Sequence, residues 1–498
     1  MNKKKVDWVA VLVPLMSVLV VSALFVLRPD ASKAVMERLR YFLGDKLGVY
    51  YILVGLTTFG VSMYVAFSKY GQIKLGKEND EPTYKDFTWG AMIFTSTMAA
   101  DIVFFSLIEW TFYADEPYIR GLTDKWLWVG TYPLFHWGVI PWSFYIILAV
   151  SLAFMIHIKG VQKQKLSQAC RPILGHMVDG FVGKMIDIMA IFALIAGTAT
   201  TFSLATPLIA QALSEIMGRE VSALAIIGVL VVIAIIYNVV LLMGMEAIAK
   251  LANVCIYSFI FLLMYILIFG GQTRFIIEMG VSTLGHLTTH FISMSTWTDP
   301  QRLTEFPQNW TIFYWAYWMV WCVATPFFIA MISKGRTIKK TILGGYFWGV
   351  AGTFVSFIIL GNHGLGSELS GQLEVMGLIH SGMTMYEVII AIIRTIPLSH
   401  VVLILMAITM VLFYTTTFDA LTMVVSMYSY KEIEDEGETS KKMRAFWGIG
   451  FIVLPICFIF LESAMETLQD LTIIVAFPIS VIMLIIVGGF MKELRNSR

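Results

Sequence analysis

The stretch WGVIPWSFYIILAVSLAFMIHI, residues 137–158, holds no Asp, Glu, Lys or Arg. As a helix it is about 33 Å long, enough to cross a hydrocarbon core of about 30 Å. Its apolar residues form a continuous block, so it has no polar face to turn toward water. Lipid must be its solvent. Comparable blocks lie at roughly 8–27, 48–68, 88–113, 185–213, 222–247, 250–271, 310–333, 341–361, 399–429, 445–463 and 467–491. Together they predict an all-α polytopic membrane protein with twelve transmembrane helices. Composition agrees: of 498 residues, 58% are hydrophobic and 14% charged, against about 25% charged in a soluble domain. The first block follows MNKKK, but it is longer than a signal-peptide apolar region and no small-x-small cleavage site follows, so it reads as a span.

Lys and Arg in short loops set the orientation. Lys3, Lys4 and Lys5, loop 69–87 (Lys69, Lys74, Lys77, Lys85), loop 159–184 (Lys159, Lys163, Lys165, Arg171, Lys184), loop 334–340 (Lys334, Arg336, Lys339, Lys340), loop 430–444 (Lys431, Lys441, Lys442, Arg444) and the tail (Lys492, Arg495, Arg498) fall on one side when spans alternate. Both termini are therefore expected in the cytoplasm, with the chain in the inner cell membrane. Loop 28–47, with Arg28, Lys33, Arg38, Arg40 and Lys46, dissents. Segment 272–309 is too polar to span and predicts an interfacial helix around 275–292. Segment 362–398 reads as an outer loop with a short helix.

Several function classes drop out. A net charge of +1 implies no nucleic-acid partner. Cys170, Cys255, Cys322 and Cys457 are scattered, with no CxxC, so neither a disulfide nor a zinc site is supported. No metal cluster or catalytic triad stands out among eight His, so an enzyme and a cofactor are not expected. No repeated selectivity segment suggests a channel, and the tails are too short for a sensor's output domain.

Three polar, small-residue runs interrupt the apolar blocks: TSTMAAD at 95–101, GTATT at 197–201 and TTT at 415–417 before Asp419. Unwound helix at mid-depth is where transporters hold substrates and ions; close helix packing through small residues is the competing explanation. The acid in 95–101 favours a functional break there.

Aromatic residues cluster at the openings of two spans. One cluster covers 135–145 and the other 310–321; within the second, Tyr314, Trp318 and Trp321 share a helix face, and Trp142 and Tyr145 share one in the first. A trimethylammonium group has no N–H to donate, so aromatic faces are its natural recognition surface. An interfacial aromatic belt is the competing reading, and it is the one expected for Trp126, Trp128, Trp310 and Trp315. Spacing alone does not choose between cage and belt for the rest.

The runs LFHWGVIPWSFY (134–145) and NWTIFYWAYWMVW…MISKGRT (309–337) closely resemble signature segments of the betaine–carnitine–choline transporter (BCCT) family. The resemblance implies LeuT-like inverted five-helix repeats in a single transporter domain: two leading helices (1–87), a first repeat (88–271), the interfacial helix and loop (272–309) and a second repeat (310–498). It also implies a homotrimer that carries a quaternary ammonium substrate such as choline, glycine betaine or carnitine. Carried over, the family's aromatic box falls on Trp137, Trp142, Tyr145, Tyr317, Trp318 and Trp321. Tyr317 stands where the family usually has Trp; a phenol keeps the π-face and adds a hydroxyl.

Asp101 and Met98 join the expected substrate site. A carboxylate at mid-membrane is expensive unless paired or wetted. Choline carriers of the family resemble this chain in having Asp at the position of Asp101, which would compensate a net cation or accept a proton. Thr95, Phe413, Thr416 and Thr417 resemble a sodium site of the family's symporters, and Thr325 offers another oxygen ligand. Thr hydroxyls bonding back to their own helix is the alternative. No metal is expected beyond a sodium there, so the reading is sodium- or proton-coupled symport. The alternative is an ion-independent exchanger with Lys250 as a fixed cation, although Lys250 also reads as a snorkelling lysine at a helix end. Glu109 and Asp419 read as structural, and Asp179 and Asp187 as groups pairing around Lys184.

Overall fold

The computed structural model describes residues 6–98, 100–161, 165–241, 243, 245–431, 440–452, 455–456 and 464–496. Lys3, Lys4, Lys5, Lys163, Cys457, Arg498 and much of the block 445–463 lie outside the described residues. Among those residues the chain is helical, with no strand beyond two isolated bridges. Among the described residues, eight helices are long and apolar enough to cross a membrane, and ten when each of two bent pairs is one span. These ten match ten of the twelve expected blocks. The block 8–27 forms the apolar helix Trp8–Leu27.

The first bent pair is Asp86–Thr97 with Asp101–Asp115, and the second spans 307–332 with a 55° bend before Thr325. The break at 98–100 was expected. The other two expected breaks do not occur: Phe181–Met217 and Ser399–Tyr428 each run through uninterrupted. The reason is local satisfaction. Thr198 and Thr200 donate to the Ile195 and Ala196 carbonyls at 2.8 and 3.1 Å, and Thr415 donates to the Val411 carbonyl at 2.8 Å. Hydroxyls bonded this way leave the helix intact. Gly197 serves packing: a Cβ there would stand 3.0 Å from Val320 and 3.4 Å from Trp321.

The segment expected to hold an interfacial helix forms the helix Thr273–Thr296. Segment 362–398 holds three short helices, Asn362–Leu369, Val375–His380 and Met385–Arg394, where one was expected.

The basic segments gather at one end of the bundle. Asp7 donates its backbone N–H to Ser429 at 2.8 Å, and Leu75 donates to Arg336 at 2.8 Å. Lys165 reaches the Tyr428 carbonyl at 3.1 Å, Lys492 reaches that of Pro172 at 2.8 Å, and Lys159 pairs with Glu493 at 2.5 Å. Loop 28–47 lies with other segments: Arg302 pairs with Asp45 at 2.6 Å, and Arg40 with Asp470 at 3.2 Å. Its helix Pro29–Arg40 is amphipathic, which is why it carries charge without spanning.

Eight elements enclose the centre. Val139–Ala153 packs against Gly48–Phe67, Thr325–Ile332 and Ile338–Ser356, while Ser399–Tyr428 packs against Phe181–Met217, Met245–Phe269 and Asp86–Thr97.

Candidate functional site

The break between Thr97 and Asp101 organises the site. No Gly or Pro causes it; Met98 is simply extended there. Tertiary bonds hold the second half-helix at its first residue. Asp101, 4% exposed, accepts on Oδ2 from the Thr201 hydroxyl at 2.8 Å and from the Tyr317 hydroxyl. Its Oδ1 is buried and has no protein partner. Both donors come from other helices, so the carboxylate ties three elements together.

Around this carboxylate lies a narrow chamber, lined by Thr97, Met98, Asp101, Ile102, Trp137, Tyr145, Tyr317, Trp318 and Trp321. Trp137 and Trp318 meet edge to face, centroids 5.5 Å apart at 70°, and Tyr145 lies tilted on Trp318 at 5.1 Å and 33°. Five of the six expected aromatic residues thus face one space, together with Met98 and Asp101. Trp142 does not line it. Its ring stands behind Trp318 at 5.4 Å, in a slot opened by Gly349, where a Cβ would come within 2.5 Å of the indole. Ile102 escaped the sequence reading; Thr97 and Thr201 lie in the 95–101 and 197–201 runs but were not among the expected site residues.

The expected belt fails at Trp315, which is fully buried. It fills the space that Gly55 leaves and lies 5.8 Å from the Phe135 ring. Trp310 is part-buried and donates its indole N–H to Glu116.

Below the break, the ion-coupling candidates partly converge. The Thr95 carbonyl lies in the last turn of helix Asp86–Thr97. It accepts from the Thr416 and Thr417 hydroxyls at 3.1 and 2.9 Å. Thr416 also bonds back to Leu412 and Phe413 at 3.1 and 3.0 Å, so the back-bonding expected of a Thr run is present beside the contact between helices. Phe413 packs on Phe94 and Phe259. The Thr95 and Thr325 hydroxyls are buried without a protein partner. Thr325 opens a helix that packs on both Asp86–Thr97 and Ser399–Tyr428.

Lys250 is excluded from this region. Its side chain is 75% exposed and pairs with Glu246 at 2.8 Å, one turn earlier. The acids that flank Lys184 are both in ion pairs: Asp187 meets Lys165 at 3.6 Å and Asp179 meets Arg171 at 2.5 Å, because the folded loop brings those bases in. Asp419, fully buried, pairs with Arg444 at 2.5 Å.

A multi-pass helical bundle with a mid-depth break and an aromatic chamber is the architecture of a solute carrier. The chain belongs to the BCCT, betaine/carnitine/choline family transporter family, whose model matches residues 9–498. It is 29% identical to a "Probable glycine betaine transporter" of Desulfitobacterium hafniense, over 94% of each chain. It is 26% identical to a "Carnitine transporter" of Acinetobacter baumannii, over 88% of this chain and 79% of that one. It is 25% identical to the "High-affinity choline transport protein" of Escherichia coli K12, over 96% of this chain and 70% of that one.

Proposed function

We propose that this transporter moves a trimethylammonium compound of net positive charge, the choline class, by alternating access with a coupling ion. The observation that carries this is the charge of the chamber: Asp101 is its one ionisable acid, and no Lys, Arg or His is among the residues that line it. The rings of Trp137, Tyr145, Tyr317, Trp318 and Trp321 would surround the quaternary nitrogen in place of water. The free Oδ1 of Asp101 would accept the substrate's hydroxyl. A glycine betaine or carnitine carboxylate placed about 4 Å from Asp101 would be repelled by about 4 kcal/mol at an effective dielectric constant of about 20, with no base to offset it.

Sodium is the coupling ion we infer, held by the Thr95 and Phe413 carbonyls and the hydroxyls of Thr416 and Thr417, with Thr325, whose helix packs on both of theirs, to add an oxygen. These are hard ligands suited to a small cation, and they sit at the negative end of helix Asp86–Thr97. The exposed position of Lys250 speaks against the exchanger alternative. The two bent spans open the two five-helix repeats that we infer at 88–271 and 310–498. The family reading also carries a homotrimer, with termini in the cytoplasm and the chain in the inner membrane.

Uptake of labelled choline, carnitine and glycine betaine into proteoliposomes, with and without a sodium gradient, tests the reading. Sodium-driven uptake of choline above the other two is expected. Absence of uptake and counterflow for all three overturns the reading, and sodium-independent uptake overturns the ion site alone. Mass measurement in nanodiscs tests the trimer.

A further inference from the structure

We propose that Glu109 is a positioning residue for the chamber, acting through Trp137; this rests on the proposed choline-class reading. Glu109 is fully buried, two turns beyond Asp101 on the same helix, and does not line the chamber. Its Oε2 accepts from the Trp137 indole N–H at 2.7 Å. Its Oε1 accepts from the Tyr113 hydroxyl at 2.5 Å.

The bonds behind Tyr113 run in one direction. Tyr113 has one proton, and it goes to Glu109. The His136 Nδ1, 2.7 Å from the Tyr113 oxygen, must then be the donor of that contact. Its Nε2, 3.0 Å from the Thr311 hydroxyl, is left to accept in the neutral ring. With the Tyr113 proton directed to Glu109, both carboxyl oxygens accept, and Glu109 is taken as a carboxylate in this proposal. Helices Asp101–Asp115, Lys125–His136 and the bent span 307–332 are joined through it.

Trp137 needs such an anchor. It sits in the break between Lys125–His136 and Val139–Ala153, outside either helix. Its carbonyl is fixed by the Thr353 hydroxyl at 2.9 Å, and its ring orientation by Glu109. The buried indole N–H groups of Trp142 and Trp318 have no such partner. A carboxylate at the edge of an indole fixes its plane and adds negative charge behind the π-face, both of which favour a cation on the opposite side.

The test compares two probes: choline, and its neutral carbon isostere with tert-butyl in place of trimethylammonium. Glu109→Gln keeps the side chain's shape and removes the charge. In proteoliposomes it should raise the choline Kd about tenfold, leave the competing isostere within about twofold, and spare the uptake rate at saturation. In a Trp137→Phe background, which lacks the N–H, the same change should add less than about twofold. Equal weakening of both probes, or full multiplicative effects of the two substitutions, would mean Glu109 serves only folding and overturns the proposal. Weakening by Trp137→Phe without weakening by Glu109→Gln overturns it too, while leaving the chamber reading standing. If neither Trp137→Phe nor Asp101→Asn weakens choline, the chamber reading itself fails.

Discussion

The Tyr317 hydroxyl and the Thr201 hydroxyl donate to the same oxygen of Asp101, leaving the other oxygen free within the chamber wall. One carboxylate therefore has a structural side and an open side. Tyr317→Phe keeps the ring and removes one donor to a buried charge. It should weaken choline binding by about tenfold while leaving the fold intact, as isothermal titration in detergent would read. An unchanged Kd would mean that Thr201 alone holds the acid.

Removing the charge should alter selectivity more than overall affinity. Asp101→Asn is expected to lower choline uptake by more than about tenfold and to raise glycine betaine uptake relative to it, because the repulsion estimated above disappears. Parallel uptake of both labelled solutes checks this. Equal loss of both would show that the carboxylate serves packing.

The Thr95 carbonyl offers a separate test. Thr416→Ala and Thr417→Ala each remove one hydroxyl that reaches it. Each should raise the sodium concentration for half-maximal uptake by about tenfold with smaller effect on choline affinity at saturating sodium. Lys250→Ala, at an exposed helix surface, should change neither. A new sodium requirement in Lys250→Ala would restore the exchanger alternative.

Arg444 and Asp419 form a buried pair at 2.5 Å. Arg444→Ala strands a buried carboxylate, a change that costs roughly 3–5 kcal/mol. Thermal unfolding in detergent should report a clear drop in midpoint, and Asp419→Asn in the same background should recover part of it. No drop would mean that water replaces the guanidinium.

The slot behind Trp318 is narrow. Gly349→Ala would place a methyl 2.5 Å from the Trp142 ring, an overlap expected to cost about 1–3 kcal/mol of stability. By displacing Trp142 against Trp318 it should also weaken choline several-fold. Intact affinity in a stable variant would separate Trp142 from the chamber.

The sequence by itself determined the membrane bundle, the break at 95–101 and the residues worth watching. Unbroken apolar blocks admit no solvent but lipid, and an acid among small residues at mid-depth must find partners. Spacing along a helix also placed Tyr145, Trp318 and Trp321 on usable faces. It could not decide which ring faces the chamber: Trp142 and Trp315 look like their neighbours in sequence, and only the glycines across from them, Gly349 and Gly55, draw them into packing slots. Nor could it separate a broken helix from an intact one at 197–201 and 415–417, since Thr hydroxyls can bond their own helix or a neighbour. Tertiary structure settled that by bringing Thr201 to Asp101 and Thr416 and Thr417 to the Thr95 carbonyl. Partners roughly 100 and 320 residues apart in the chain leave no periodic signal, because the bonds exist only once the helices have packed.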